Sequence, residues 1–77
     1  MDIFSIRLKE LRTEKGLTQK QLAVAVNTTD DSVFSWEKGR SQPSIETIRE
    51  LCTVLETSAD YLLGLEDETG AKTHKNF

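Results

Sequence analysis

The sequence predicts an all-α protein, a compact bundle of about five short helices. Three observations carry this. Apolar residues recur at helical spacing, as in Phe4, Leu8 and Leu11, then Leu22, Ala23 and Val26, then Ile45, Ile48, Leu51, Cys52 and Leu55. Hydroxyl residues that favour helix starts precede most of these runs, and Gly or Asn follows several of them. No strand pattern competes, because Val24-Ala25-Val26 is short and lies inside a helical run.

The elements follow in order. Helix one is expected from about Ile3 to Lys15, with Gly16 just past its end and Leu17 returning to the core. Thr18 is the N-cap of helix two, and Gln21 three residues on completes a capping box. Asn27 follows the Leu22/Ala23/Val26 stripe, and Asn tolerates the positive φ that a sharp helix–helix turn needs. Thr29 caps helix three, where Val33 and Trp36 share a face, and Gly39 closes it. A short helix, a left-handed turn and a second short helix make a helix-turn-helix at helices two and three. Arg40 to Pro43 is a loop. Ser44, with Thr47 three residues on, caps helix four from about Ile45 to Leu55. Ser58 starts a last short helix holding Tyr61, Leu62 and Leu63, and Gly64 ends it. Residues 1–65 thus form one domain, and 66–77, charged and aperiodic, are expected to be a mobile polar tail.

Seventy-seven residues bury only about 60% of the surface of the unfolded chain, so the stability margin is thin. One cysteine excludes an intrachain disulfide, no apolar run approaches membrane-spanning length, and Arg7 and Lys9 interrupt any leader-like core. A cytoplasmic protein with no membrane association is expected. The net charge is −3, but it is polarised: residues 1–44 carry +1 and residues 45–77 carry −4. There is no nucleophile–base spacing, no glycine-rich phosphate loop and no metal-ligand cluster. No enzyme activity, cofactor or metal is therefore expected. Cys52 sits on an apolar stripe as a small hydrophobe, Glu46 and Glu50 form a solvated face, His74 stands alone in the tail, and Trp36 is core and not a base-stacking platform.

Leu17-Thr18-Gln19, Leu22-Ala23, Val33, Trp36-Glu37-Lys38-Gly39, Pro43-Ser44, Ile48, Leu51, Leu55 and Asp60-Tyr61-Leu62-Leu63-Gly64 together resemble the lambda-repressor/Cro-like (XRE-type) helix-turn-helix family. The resemblance runs from about Phe4 to Gly64. It implies that helix three enters the major groove of double-stranded DNA while helix two crosses the backbone. The residues at the start of helix three that then meet base edges are Thr28, Thr29, Asp30, Asp31 and Ser32, with Ser35 one turn on. Gln19 is implied as a phosphate contact, flanked by Thr18 and Lys20, and Lys38 and Arg40 are candidates for the next phosphates. In similar proteins an arginine of helix one pairs with the acid after the aromatic position of helix three; here these are Arg12 and Glu37. The family also implies a homodimer, and its expected surface is the apolar C-terminal helix with Tyr61, Leu62, Leu63 and Leu65.

Asp30 and Asp31 depart from the family pattern, where amide or basic side chains are common. A carboxylate can read the cytosine amino group; equally, acids in a first turn stabilise a helix by about 0.3–1 kcal/mol. Two functions follow from these residues. The leading one is a sequence-specific DNA-binding transcriptional regulator, a repressor of bacterial or phage type. The alternative is a protein-interaction module, an antitoxin or antirepressor target, whose acidic helix three meets a basic regulatory protein partner.

Overall fold

Every helix begins at a side-chain oxygen that accepts from the backbone N–H three residues on. The computed structural model describes residues 2–72. Within them the chain runs α1 (Ile3–Glu14), α2 (Gln19–Ala25), α3 (Asp30–Glu37), α4 (Ile45–Leu55) and α5 (Ala59–Leu62). The caps are Asp2, Thr18, Thr29, Ser44 and Ser58. Thr18 and Gln21 form a reciprocal box, with the Gln21 N–H donating to Thr18 Oγ1 at 3.0 Å and the Thr18 N–H to Gln21 Oε1 at 2.8 Å.

The helix ends are equally regular. After each one a residue in the left-handed region reverses the chain, and its N–H and the next bond back three and five residues, the Schellman arrangement. At Asn27, with φ +56°, these bonds run from Asn27 N–H to the Val24 carbonyl and from Thr28 N–H to the Ala23 carbonyl. This turn sets α3 against α2. Glu56 adopts the same conformation at the end of α4, with φ +53°. A side chain there costs roughly 1–2 kcal/mol. The Lys15 ammonium meets its carboxylate and lowers its pKa. Gly64 has no such latitude, because its φ is +83° and a Cβ there would overlap Ile3 Cγ2.

The core is built from all five helices: Phe4 and Leu8 of α1, Leu22 and Ala23 of α2 with Val26 at its end, Val33 and Trp36 of α3, Leu51 and Leu55 of α4, and Leu62 of α5. Leu11, Leu17, Cys52 and Val54 pack against it. Burial raises the Cys52 thiol pKa, in keeping with a small hydrophobe. Among the described residues, every buried side-chain nitrogen or oxygen has a partner, and no helix is long and apolar enough to cross a membrane.

Three expectations need correction. Ile45 leaves the α4 stripe: in the first turn, beyond the edge of the core, it is 80% exposed. Leu62 is not a dimer-surface residue, since it is fully buried and is the one side chain by which α5 enters the core. The described part of the expected tail, residues 66–72, is folded. The Asp67 carboxylate accepts from the Thr69 N–H, the Thr69 hydroxyl and the Ala71 N–H, and Glu66 bridges Lys72 in antiparallel fashion. Arg7 of α1 holds this turn, donating from Nη1 to the Tyr61 and Glu66 carbonyls at 2.6 and 2.7 Å and stacking 4.0 Å from the Tyr61 ring centroid. Lys72 pairs with Asp60 and Glu66. Residues 73–77, with His74, lie outside the described residues.

Three stability measurements test this account. Glu56→Gly should raise the urea midpoint, because the relieved backbone outweighs the loss of a weak, exposed ion pair. Leu62→Ala should lower it by about 2–5 kcal/mol. The bonds from the Ser5 N–H and hydroxyl hold the Asp2 carboxyl below its ordinary value. Its contribution is thus complete above the unfolded pKa, near 3.9, and is lost as pH falls through the lower folded value. An acid titration of stability should show Asp2→Asn, which keeps a cap, losing less than the wild type in that window.

Candidate nucleic-acid interface

The interface is organised by Glu37, the last residue of α3. Its side chain lies within the protein because Val33, Trp36 and Glu37 share the inner face of that helix. The Arg12 guanidinium grips it in two places, Nε to Oε2 at 2.6 Å and Nη2 to Oε1 at 3.1 Å. Arg12 Nη1 donates to the Leu17 carbonyl at 2.7 Å, and Gln19 Nε2 donates to Glu37 Oε1 at 3.1 Å. One buried carboxylate therefore joins α1, the α1–α2 loop, the start of α2 and the end of α3. Both ions are more than nine-tenths buried, Arg12 at 9% and Glu37 at 4% exposure. Fork-to-carboxylate geometry and the added bonds offset the desolvation of the pair. Ser5 adds a second tie: its hydroxyl lies 2.7 Å from the Trp36 carbonyl and 2.8 Å from Asp2 Oδ1, two acceptors for a single proton.

With α3 fixed in this way, Thr29, Asp30 and Asp31 are exposed at its start and Thr28, Ser32 and Ser35 are half-buried along the same end. The Thr29 hydroxyl is engaged as a cap, accepting from the Ser32 N–H at 3.2 Å and lying 3.0 Å from Ser32 Oγ. Asp30 Oδ1 accepts from the Asp31 N–H. The Thr18 hydroxyl is likewise engaged in its capping box. Gln19 gives one amide hydrogen to Glu37, which leaves the second to donate outward. Lys20, Lys38 and Arg40 are exposed.

The cations divide into two groups. Arg7, Arg12, Lys15 and Lys72 are engaged with carbonyls or carboxylates. Among the described residues Lys9, Lys20, Lys38, Arg40 and Arg49 have no carboxylate partner. Four of these five belong to α1–α3 and the turn that follows, while Glu46, Glu50, Glu56, Asp60, Glu66, Asp67 and Glu68 lie on α4, α5 and the final turn. The α1–α3 segment also carries Glu10, Glu14, Asp30 and Asp31 without a cation partner, so its unpaired charges are mixed, with Lys38 and Arg40 grouped just past the end of α3.

Sequence reasoning passed over Phe34 and Lys9. Phe34 is 38% exposed on α3, off the Val33/Trp36 stripe, and lines a groove between α1 and α3 with Ile6, Lys9, Gln19 and Lys38. A large aromatic one position off a buried stripe was the available signal.

The geometry is that of a helix-turn-helix domain with a braced second helix, and residues 8–62 match the helix-turn-helix family model. The chain belongs to that family, so the resemblance read from its motifs is a true relationship. It is similar to the HTH-type transcriptional regulator ImmR of Bacillus subtilis strain 168, with 36% identity over 66 residues, 86% of this chain and 51% of that protein. The chain spans about half the length or less of the first curated relatives it matches. Among solved structures, it is similar to the P22 c2 repressor in complex with synthetic operator 9T (TM-score 0.77, 25% identity, 82% of this chain and 96% of that chain). It is also similar to SinR, the master regulator for biofilm formation, in complex with DNA (TM-score 0.72, 30% identity, 78% and 97%).

The brace has a measurable signature. Glu37→Ala leaves the Arg12 guanidinium buried and unpaired and should cost about 3–5 kcal/mol in denaturant unfolding. Replacing both partners with methionine should recover most of that loss. A double variant as unstable as the single one would show that the loss comes from the missing pair itself and not from an orphaned buried charge.

Proposed function

We propose that this chain is a sequence-specific DNA-binding transcriptional regulator, a repressor of bacterial or phage type that works in the cytoplasm and has no catalytic activity. In this reading α3 enters the major groove, where Thr28, Thr29, Asp30, Asp31, Ser32 and Ser35 face base edges. Thr18, Gln19, Lys20, Lys38 and Arg40 meet phosphates on either side. The observation that carries the reading is the exposed start of a rigidly braced α3, with the unpaired Lys38 and Arg40 just past its other end. Family membership supports it, as do the two similar proteins solved with an operator or with DNA. The net charge of −3 is no obstacle, because the acidic residues of α4, α5 and the last turn lie away from α3 in the chain and phosphates respond to local charge.

The two aspartates would give the interface its selectivity. A carboxylate accepts from the cytosine amino group and is repelled elsewhere in a groove lined by phosphates. A homodimer would place two α3 helices about 34–36 Å apart on a nearly palindromic site. With Leu62 in the core, the surface left for a second copy is Leu63 and Leu65, each 40% exposed, beside Tyr61.

Selection of bound sequences from a random duplex pool tests the reading. A two-fold symmetric motif is expected, with affinity falling by about tenfold or more per doubling of salt. Asp30→Ala combined with Asp31→Ala should alter the motif at fixed positions, each worth about 1–3 kcal/mol. No enrichment at moderate salt would overturn DNA recognition and turn attention to a basic protein partner. Leu65→Lys should weaken binding to the two-half-site duplex while leaving half-site affinity intact.

A further inference from the structure

The C-terminal end of α3 holds an arrangement that neither the core nor base recognition requires. Lys38 Nζ lies 5.5 Å and Arg40 Cζ 5.6 Å from the centroid of the Phe34 ring. Phe34 and Lys38 are four residues apart, one above the other on the helix surface. Arg40 is six residues from Phe34 and reaches it because Gly39, with φ +73°, turns the chain back so that the Arg40 N–H bonds the Ser35 carbonyl at 2.9 Å. Two like charges are thus drawn to one ring, although each repels the other. The negative face of the aromatic ring and the negative end of the helix dipole offset that repulsion. Neither cation has a carboxylate or other hydrogen-bonding partner for its side chain among the described residues. Phe34 itself lies outside the buried core.

We propose that Phe34 is a positioning residue for DNA binding: its ring gathers Lys38 and Arg40 into a preformed clamp for a backbone phosphate at the end of α3. The inference rests on the DNA reading above and adds a residue that touches neither base nor phosphate. Long cationic side chains lose rotamer freedom when they bind, and a ring that already confines them reduces that loss. The effect is independent of base sequence, since phosphates carry none.

Phe34→Leu is the informative variant. It keeps apolar cover for the lysine and arginine stems and removes the aromatic quadrupole. Binding of the intact chain to a mixed-sequence duplex and to the selected duplex should weaken by the same factor, about three- to tenfold. The salt slope should stay unchanged, because both cations remain. Lys38→Met and Arg40→Met should each reduce that slope by about one, and in the doubly substituted background Phe34→Leu should have no further effect. Without DNA, NMR should show ring-current shifts on the side-chain protons of Lys38 and Arg40 in the wild type that disappear in Phe34→Leu. Wild-type binding with an unaltered Phe34→Leu affinity, or a loss that persists when both cations are gone, would overturn the role of Phe34 alone. A changed motif would make Phe34 a base contact instead. Failure of the wild type to bind any duplex would overturn the DNA reading and the clamp with it, while unfolding curves of each variant separate these outcomes from lost structure.

Discussion

The structure depends on the bond between Arg12 and Glu37. A surface pair of this kind would be worth little, but this one is buried and linked to two further groups. Its carboxylate ends α3, its guanidinium comes from the last turn of α1, a leftover guanidinium N–H donates to the Leu17 carbonyl, and the Gln19 amide donates to the carboxylate. A helix of eight residues has little intrinsic stability. Held at its far end by a directional, charge-assisted contact and at its near end by the Thr29 cap, α3 can carry polar residues on its exposed face without support from that face. The apolar core supplies most of the stabilisation; the ion pair makes the placement of α3 specific. These two tasks are separable, because a core of leucine and valine tolerates small rotations that a fork of two N–H···O bonds does not.

The same division explains where the charge of the protein sits. The pairs that involve α4, α5 and the final turn are mostly exposed and weak, as with Lys15–Glu56 and Lys72–Asp60. They tie the end of α1 to the end of α4 and the final turn to α5. Around α3 the unpaired charges are of both signs, Asp30 and Asp31 at its start and Lys38 and Arg40 past its end, on a chain that is negative overall. With so few unpaired charges their arrangement counts for more than their number, and Lys38 and Arg40 are confined around one ring.

Much of this was legible in the sequence because it is encoded locally. Thr18 and Gln21 specify one end of α2, Asn27 specifies the other, and each needs only its immediate neighbours to act. The core stripes of α2, α3 and the inner part of α4 follow from periodicity. The failures occur where locality ends. A four-residue helix has no period, so Leu62 and Leu63 read alike, although one is sealed in the core and the other is 40% exposed. Ile45 obeys the spacing of α4 but sits a turn beyond anything that can cover it. The final turn is held by the Asp67 carboxylate and by Arg7, a residue some sixty positions earlier, and an aperiodic stretch gives no sign of such a partner. Glu56 breaks a propensity rule outright: no residue type announced the left-handed turn it adopts. In the interface, Arg12 and Glu37 were found through kinship with the family, and their spacing of 25 residues would not have paired them otherwise.

The construction of α5 has a consequence for how the protein assembles. One turn of helix cannot persist alone, since nucleation costs more than a single turn returns. It exists because Leu62 is seated and Arg7 clasps the Tyr61 carbonyl within it and the Glu66 carbonyl beyond it. Leu63 and Leu65, each exposed next to that helix, keep their places only while the seat is occupied. Any molecule that binds them therefore favours the seated state over the open one, and its binding energy is added to the stability of the whole domain. Thermal resistance and self-association become one linked equilibrium, and the melting temperature of this chain will rise with its own concentration to the extent that copies meet there.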